Sequence, residues 1–204
     1  MKTTQPATIG TLEGAIRAIE ERSSAEVVVE VRAYSGSYAA VDQRLGMFSA
    51  FAALLFVLFA PLTFAPWLVP FFLALSYALG LLACRSSNWI RRHLTTRRER
   101  QSRTRIVAAT TFVERGIVST RQRSGVLVLL SRLERRMEII ADRGVLDAVP
   151  GLEWNQLMAA AGRDSGLEEL SILLVDLGSL LSRYLPRTAD DVNELPDNVR
   201  MFTE

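Results

Sequence analysis

LGMFSAFAALLFVLFAPLTFAPWLVPFFLALSYALGLLAC, residues 45–84, contains no charged side chain and no histidine. The nearest charges are Arg44 and Arg85. Every other part of the chain has to be placed relative to this stretch. One membrane-spanning helix needs about 20 apolar residues. The stretch is too long for one crossing and fits two. The break falls at Pro61-Leu62-Thr63-Phe64-Ala65-Pro66, where each proline removes an amide donor and turns the preceding residue away from the helical region. The first arm, Leu45–Ala60, is short, and Arg44 can reach the interface to extend it. The second arm, Trp67–Cys84, carries Trp67 at its outer end, where an indole suits the head-group layer. Pro70 lies in its first turn, where a missing donor costs least. The alternative is a buried hairpin of a soluble protein, and so long an uncharged run is hard to bury in a core of this size. The run begins 44 residues into the sequence, so a cleaved leader is not expected there.

Charge is distributed unevenly around the hairpin. Between Arg85 and Arg105 stand eight arginines (85, 91, 92, 97, 98, 100, 103, 105) against Glu99 alone. The turn between the arms has no charge. Basic residues mark the cytoplasmic side, so both ends of the hairpin and both termini are expected in the cytoplasm. The arginine collar also suits anionic lipid, at about 1 kcal/mol per basic residue near the surface. Nucleic acid is disfavoured as a partner, because Trp89 is the collar's only aromatic residue and no recognition motif is present. The single cysteine, Cys84, cannot form an internal disulfide.

Outside the hairpin the pattern is α/β. Leu12, Ala15, Ile16 and Ile19 give a helix one apolar face from about Thr11. Val27–Val31 reads as a strand covered on both faces. This first piece, residues 1–44, is too small to stand alone. It therefore needs residues beyond the hairpin, and the hairpin becomes an insertion in one domain. Beyond the basic segment 85–105, Ile106, Ala109, Val113 and Ile117 fall on one helical face, with Gly116 as its C-cap. Gly125–Ser131 and Met137–Ala141 are strands joined by a short polar turn, hence antiparallel. The long crossover between Val27–Val31 and Val126–Leu130 makes that pair parallel. Asp142-Arg143-Gly144 is expected as a turn. Trp154, Leu157, Met158 and Ala161 mark a helix. Ser165-Gly-Leu-Glu168 has capping-box spacing for a last helix with Leu167, Leu170, Leu174, Leu177, Leu181 and Tyr184 on one stripe. The second part of the domain runs over 106–186. Residues 1–8 and the acidic tail 187–204 are expected to be extended or disordered.

Four segments carry a family resemblance. Ser119–Val128 (STRQRSGVLV) and Glu134–Gly144 (ERRMEIIADRG) resemble the TPM domain. Ser24–Val29 (SAEVVV) resembles its first strand, and Asp190–Pro196 (DDVNELP) the tail of a bacterial subgroup whose domain is interrupted by a membrane hairpin. The resemblance spans nearly the whole chain. It implies a small mixed sheet flanked by helices in a TPM-like sandwich, at the bacterial inner membrane. It further implies either an accessory role in a membrane complex or an acid phosphatase activity with divalent cation binding. Unlike in secreted members, neither a leader nor a C-terminal anchor is expected, so a lumenal or periplasmic role is not expected either.

Cysteine or histidine nucleophilic chemistry is disfavoured, since Cys84 ends an apolar helix and His93 stands alone among arginines. Clustered Cys/His for zinc is absent, and so is a glycine-rich phosphate loop. Carboxylates remain. Asp142 sits at a strand end and matches the family's Asp-x-Gly position; Asp147 and Asp164 are candidates to join it around Ca²⁺ or Mg²⁺. The competing structural role is an Asp bonded to its own turn. The leading expectation is a membrane-anchored, non-enzymatic module that docks a protein partner or helps a membrane complex assemble. The alternative is a cation-dependent, acid-phosphatase-like enzyme.

Overall fold

The computed structural model describes residues 9–62, 64–161, 165–188 and 199–202. Its elements are α1 (Ile9–Glu20), β1 (Glu26–Arg32), α2 (Ala39–Phe59), α3 (Val69–Ser86), α4 (Asn88–Leu94), α5 (Arg97–Glu114), β2 (Gly125–Ser131), β3 (Arg136–Ala141), α6 (Arg143–Ala148), α7 (Gly151–Ala161), α8 (Leu167–Tyr184) and β4 (Arg200–Phe202). They divide into two compact units, residues 1–35 with 100–204, and residues 36–99.

The first unit is a mixed α/β sandwich around a four-stranded sheet of order β3-β2-β1-β4. β1 pairs parallel with β2, Val27 opposite Val126, and β2 pairs antiparallel with β3, Val128 opposite Ile139. The parallel and antiparallel senses expected from connection length are both found. Side chains alternate across a strand, and the alternation here sorts two cores. Val27, Val29, Val31, Val126, Val128, Leu130, Met137 and Ile139 face α1, α7 and α8. Val28, Leu127 and Leu129 face α5 and the turn at Ile117. That is why β1 and β2 read as continuous apolar runs. The α8 stripe lies where its spacing puts it, with Leu170, Leu174, Leu177 and Leu181 fully buried. Each such leucine contributes about 2–3 kcal/mol of burial. Gly178 lets α1 approach, since a Cβ there would stand 2.8 Å from Ile19 Cγ1.

Three expectations are corrected, and the apolar face of α5 is its solvent-facing one. On α5 the buried face is Thr104, Ala108, Thr111 and Phe112, while Ile106 and Val113 are 62% and 64% exposed. Thr111 turns inward to accept from Arg32 on the sheet face beneath it, and Thr104 Oγ1 bonds back to the Arg100 carbonyl. Residues 142–144 do not form a free turn: Asp142 is the N-cap of α6, and Gly144 lies within that helix. A Cβ on Gly144 would press on the backbone carbonyls of Gln122 and Arg123. The α8 cap is one residue later than the Ser165–Glu168 spacing suggests: the Gly166 amide donates to Glu169 Oε2 at 2.7 Å, and Ser165 Oγ bonds back to the Ala161 carbonyl. Finally, residues 200–202 of the tail are a fourth strand, parallel to β1 with Arg32 opposite Phe202. The expectations for residues 1–8 and for 189–198 lie outside the described residues.

The second unit is a helical hairpin. α2 begins at Ala39, ahead of the uncharged run, and a 3₁₀ turn over Pro66–Leu68 leads into α3. Two 21-residue helical stretches, Ala39–Phe59 and Pro66–Ser86, are long and apolar enough to cross a membrane. Most of their apolar surface points outward, as at Phe59 and Phe71, unlike a core helix of a soluble protein. The arms touch closely at two glycines. A Cβ on Gly46 would stand 2.9 Å from the Tyr77 ring, and one on Gly80 would collide with Ser49 and stand 3.0 Å from the Leu45 carbonyl. Small residues at such a crossing are the usual means of close helix packing in lipid.

Candidate functional site

Several groups of polar side chains lie buried in the α/β unit, and three of them bear on function. The first contains Asp142. Its amide donates to the Gly125 carbonyl at 2.8 Å, which ties it to the start of β2. Its Oδ1 accepts from the Arg143 amide at 2.6 Å. Its Oδ2 is buried and has no hydrogen-bond partner among the described residues. A buried carboxylate oxygen left bare is costly. Asp147 does not share this environment: it is largely exposed and pairs with Arg143, Nε to Oδ2 at 3.4 Å, one helical turn apart. Asp164 lies outside the described residues. Among the described residues no group of three or more His, Cys, Asp and Glu could hold a metal ion. Calcium takes six to eight oxygens, so the described residues supply one free oxygen of such a set.

The second group surrounds Glu30, which the strand reading passed over as one acid in an apolar run. Its side chain is fully buried beneath α5. Arg32 Nε donates to Glu30 Oε1 at 2.5 Å, and Arg32 Nη2 donates to Thr111 Oγ1 at 3.1 Å. Arg115, from the end of α5, approaches Glu30 Oε2 at 3.5 Å. Both guanidiniums lie over the Phe202 ring, 5.3 and 5.6 Å from its centroid. The signal in the sequence was the Glu-x-Arg spacing inside β1: period two puts both side chains on one sheet face, and a buried acid needs a cation.

The third group closes the loop that leaves β1. The Ser35 amide donates to Glu134 Oε1 at 2.9 Å, Ser35 Oγ donates to Ser131 Oγ at 2.8 Å, and Ser131 Oγ donates to Glu134 Oε2. All three side chains are buried. This arrangement holds the β2–β3 turn against the exit from β1. It offers no access for a substrate, so the serines serve as fasteners.

On the face of β3 that looks toward α5, burial pushes the Glu138 carboxyl above the usual range, against the opposing pull of Arg136 and Arg105.

In the hairpin unit, Asp42 and Arg91 form a buried ion pair described below. Arg91 is thereby withdrawn from the arginine collar. His93 is exposed, its ring centroid 4.1 Å from that of Trp89. Cys84 is a free, buried thiol.

No protein-family model matches the chain, and no curated protein matches it. Among solved structures it is similar to the NMR structure of BA42 protein from the psychrophilic bacterium Bizionia argentinensis. That likeness has a TM-score of 0.56 at 16% identity over 98% of each chain. At that identity it speaks of the fold alone.

Proposed function

We propose that the chain is a membrane-anchored TPM-like module whose α/β unit docks a protein partner at the cytoplasmic face of a bacterial inner membrane. The observation that carries this reading is the position of the hairpin. The two apolar helices interrupt the chain between β1 and β2, which are nevertheless neighbours in one sheet. An anchor inserted there holds the α/β unit through two chain crossings. The outward apolar surface of α2 and α3 supports the anchor, and the collar supports cytoplasmic ends on anionic lipid. The interaction role is supported by α5, whose Ile106, Ala109 and Val113 form an exposed apolar stripe at helical spacing. In cells, a photo-cross-linker at Ile106 or Val113 is expected to give a discrete protein adduct, and one at Arg143 none. Adducts to lipid alone, or equal adducts at all three sites, would contradict the docking role.

One observation favours a second reading, cation-dependent phosphate-ester hydrolysis: Asp142 Oδ2 is buried without a partner among the described residues. A divalent cation would satisfy it and, when bound, would polarise a phosphoryl oxygen or water. The donor set among the described residues is incomplete, so no reaction step is derived from it. The docking reading stands first.

A further inference from the structure

The Glu30 group carries more positive charge than its own acid neutralises. Arg32 and Arg115 share Glu30. The register places Arg200 of β4 opposite Glu30 and Phe202 opposite Arg32. Both arginines stack on Phe202, so Phe202 faces α5. Arg200 stands two residues before it on the same strand and therefore shares that face. Arg200 is exposed, and among the described residues its side chain makes no ion pair or hydrogen bond. Among the described residues Arg32 and Arg115 share one carboxylate and Arg200 stands on the same face without one, so two positive charges are left over. They lie along β4, a three-residue strand at the edge of the sheet.

The geometry points to a docking strip for an extended acidic peptide of a partner protein, lying along the β4 edge with carboxylates reaching Arg200 and the exposed quarters of Arg32 and Arg115. Charge complementarity selects the occupant. Guanidinium forks bind carboxylates in pairs of parallel hydrogen bonds, and the edge strand supplies unpaired backbone groups for strand addition. The proposal rests on the docking reading and names the chemistry of its partner.

The test uses the full chain in detergent micelles and a fluorescein-labelled peptide of about eight residues alternating Glu with Thr, which sets its carboxylates on one side of a strand. Saturable binding is expected, weakened by added salt. Replacing Glu by Gln in the peptide should weaken it about tenfold or more. Arg200→Gln should weaken it to a similar degree without lowering Tm, and Arg200→Lys should fall between, because the charge stays and the fork is lost. Arg97→Gln, in the collar, should leave it unchanged. Equal binding of the Glu and Gln peptides, no binding, or a loss confined to Arg97→Gln would overturn the proposal. So would binding that appears only after Asp190, Asp191, Glu194 and Asp197 are neutralised, since the strip would then be covered by the chain's own acids. Peptide failure alongside partner adducts at Ile106 would sink this strip and leave the docking reading in place.

Discussion

Arg91 grips Asp42 with both ends of its guanidinium group, Nε donating to Oδ1 at 2.9 Å and Nη2 to Oδ2 at 2.6 Å. Asp42 lies near the start of α2 and Arg91 in α4 beyond α3, so one ion pair fastens the entry to the exit of the hairpin unit. Arg91 also lies over the Tyr38 ring, 5.8 Å from its centroid. Removing one partner of a buried pair typically costs 3–5 kcal/mol because the other charge is stranded. Asp42→Ala should therefore destabilise the protein in a denaturant titration of detergent-solubilised protein by about 3 kcal/mol. Asp42→Leu combined with Arg91→Met should recover most of the loss. An unchanged midpoint in Asp42→Ala would show that the pair fastens nothing.

The Glu30 cluster makes a parallel case in the α/β unit. Glu30→Ala leaves two guanidiniums facing a buried void, and a loss of about 3 kcal/mol is expected. Arg32 and Arg115 are each about one-quarter exposed and can rehydrate, so the loss should not exceed that figure. Glu30→Gln keeps shape and one acceptor and should cost about half as much. Equal stability of wild type and Glu30→Ala in chemical denaturation would contradict the placement of this carboxylate.

Gly144 separates a structural reason for Asp-x-Gly from a functional one. Its missing Cβ makes room for two backbone carbonyls, which cannot rotate away. Gly144→Ala should cost about 1–3 kcal/mol with or without divalent cation. At Asp142, Ala removes the bond to the Arg143 amide and should cost about 1 kcal/mol, while Asn keeps an acceptor and should be nearly silent. If Mg²⁺ or Ca²⁺ raises the melting temperature of wild type but not of Asp142→Asn, the bare Oδ2 is a cation ligand and the second reading gains.

Glu138 supplies a pH signature. Its folded pKa is raised by burial, so the native state holds the proton more tightly than the unfolded chain. The contribution is present at low pH and is lost as pH rises from the unfolded value, about 4.3, through the raised folded value. Glu138→Gln removes the burden at neutral pH. It should raise Tm at pH 7 by about 2 °C or less, and the difference should vanish below about pH 4. A gain that persists undiminished in acid would mean that the effect is not titration of this carboxyl.

Much of the sheet was legible because burial on both faces writes itself as uninterrupted β-branched sequence. Val27–Val31 and Val126–Leu130 announced both their strand character and their need for each other. Length of connection then settled the parallel sense. On α5 the direction of the apolar face was not legible, because a polar residue is turned inward by a buried charge. Glu30 draws Thr111 and Arg115 toward the sheet. That rotates α5 so that the apolar spacing Ile106–Val113 faces outward, and no local periodicity reports a partner 85 residues away. β4 escaped because three residues in an acidic tail carry too weak a pattern. At the candidate site, the strand-end position of Asp142 was legible and its helix-capping role was not, since α6 has only six residues.

The most direct measurement of the central claim is cysteine accessibility in intact cells. Cys84 is first replaced by Ser, and single cysteines are placed at exposed Glu21, Thr188 and Leu62. An anchored module with a cytoplasmic α/β unit predicts that a membrane-impermeant maleimide labels Leu62→Cys from outside and reaches Glu21→Cys and Thr188→Cys only after lysis. Labelling of Glu21→Cys or Thr188→Cys in intact cells, or of Leu62→Cys only after lysis, would contradict it.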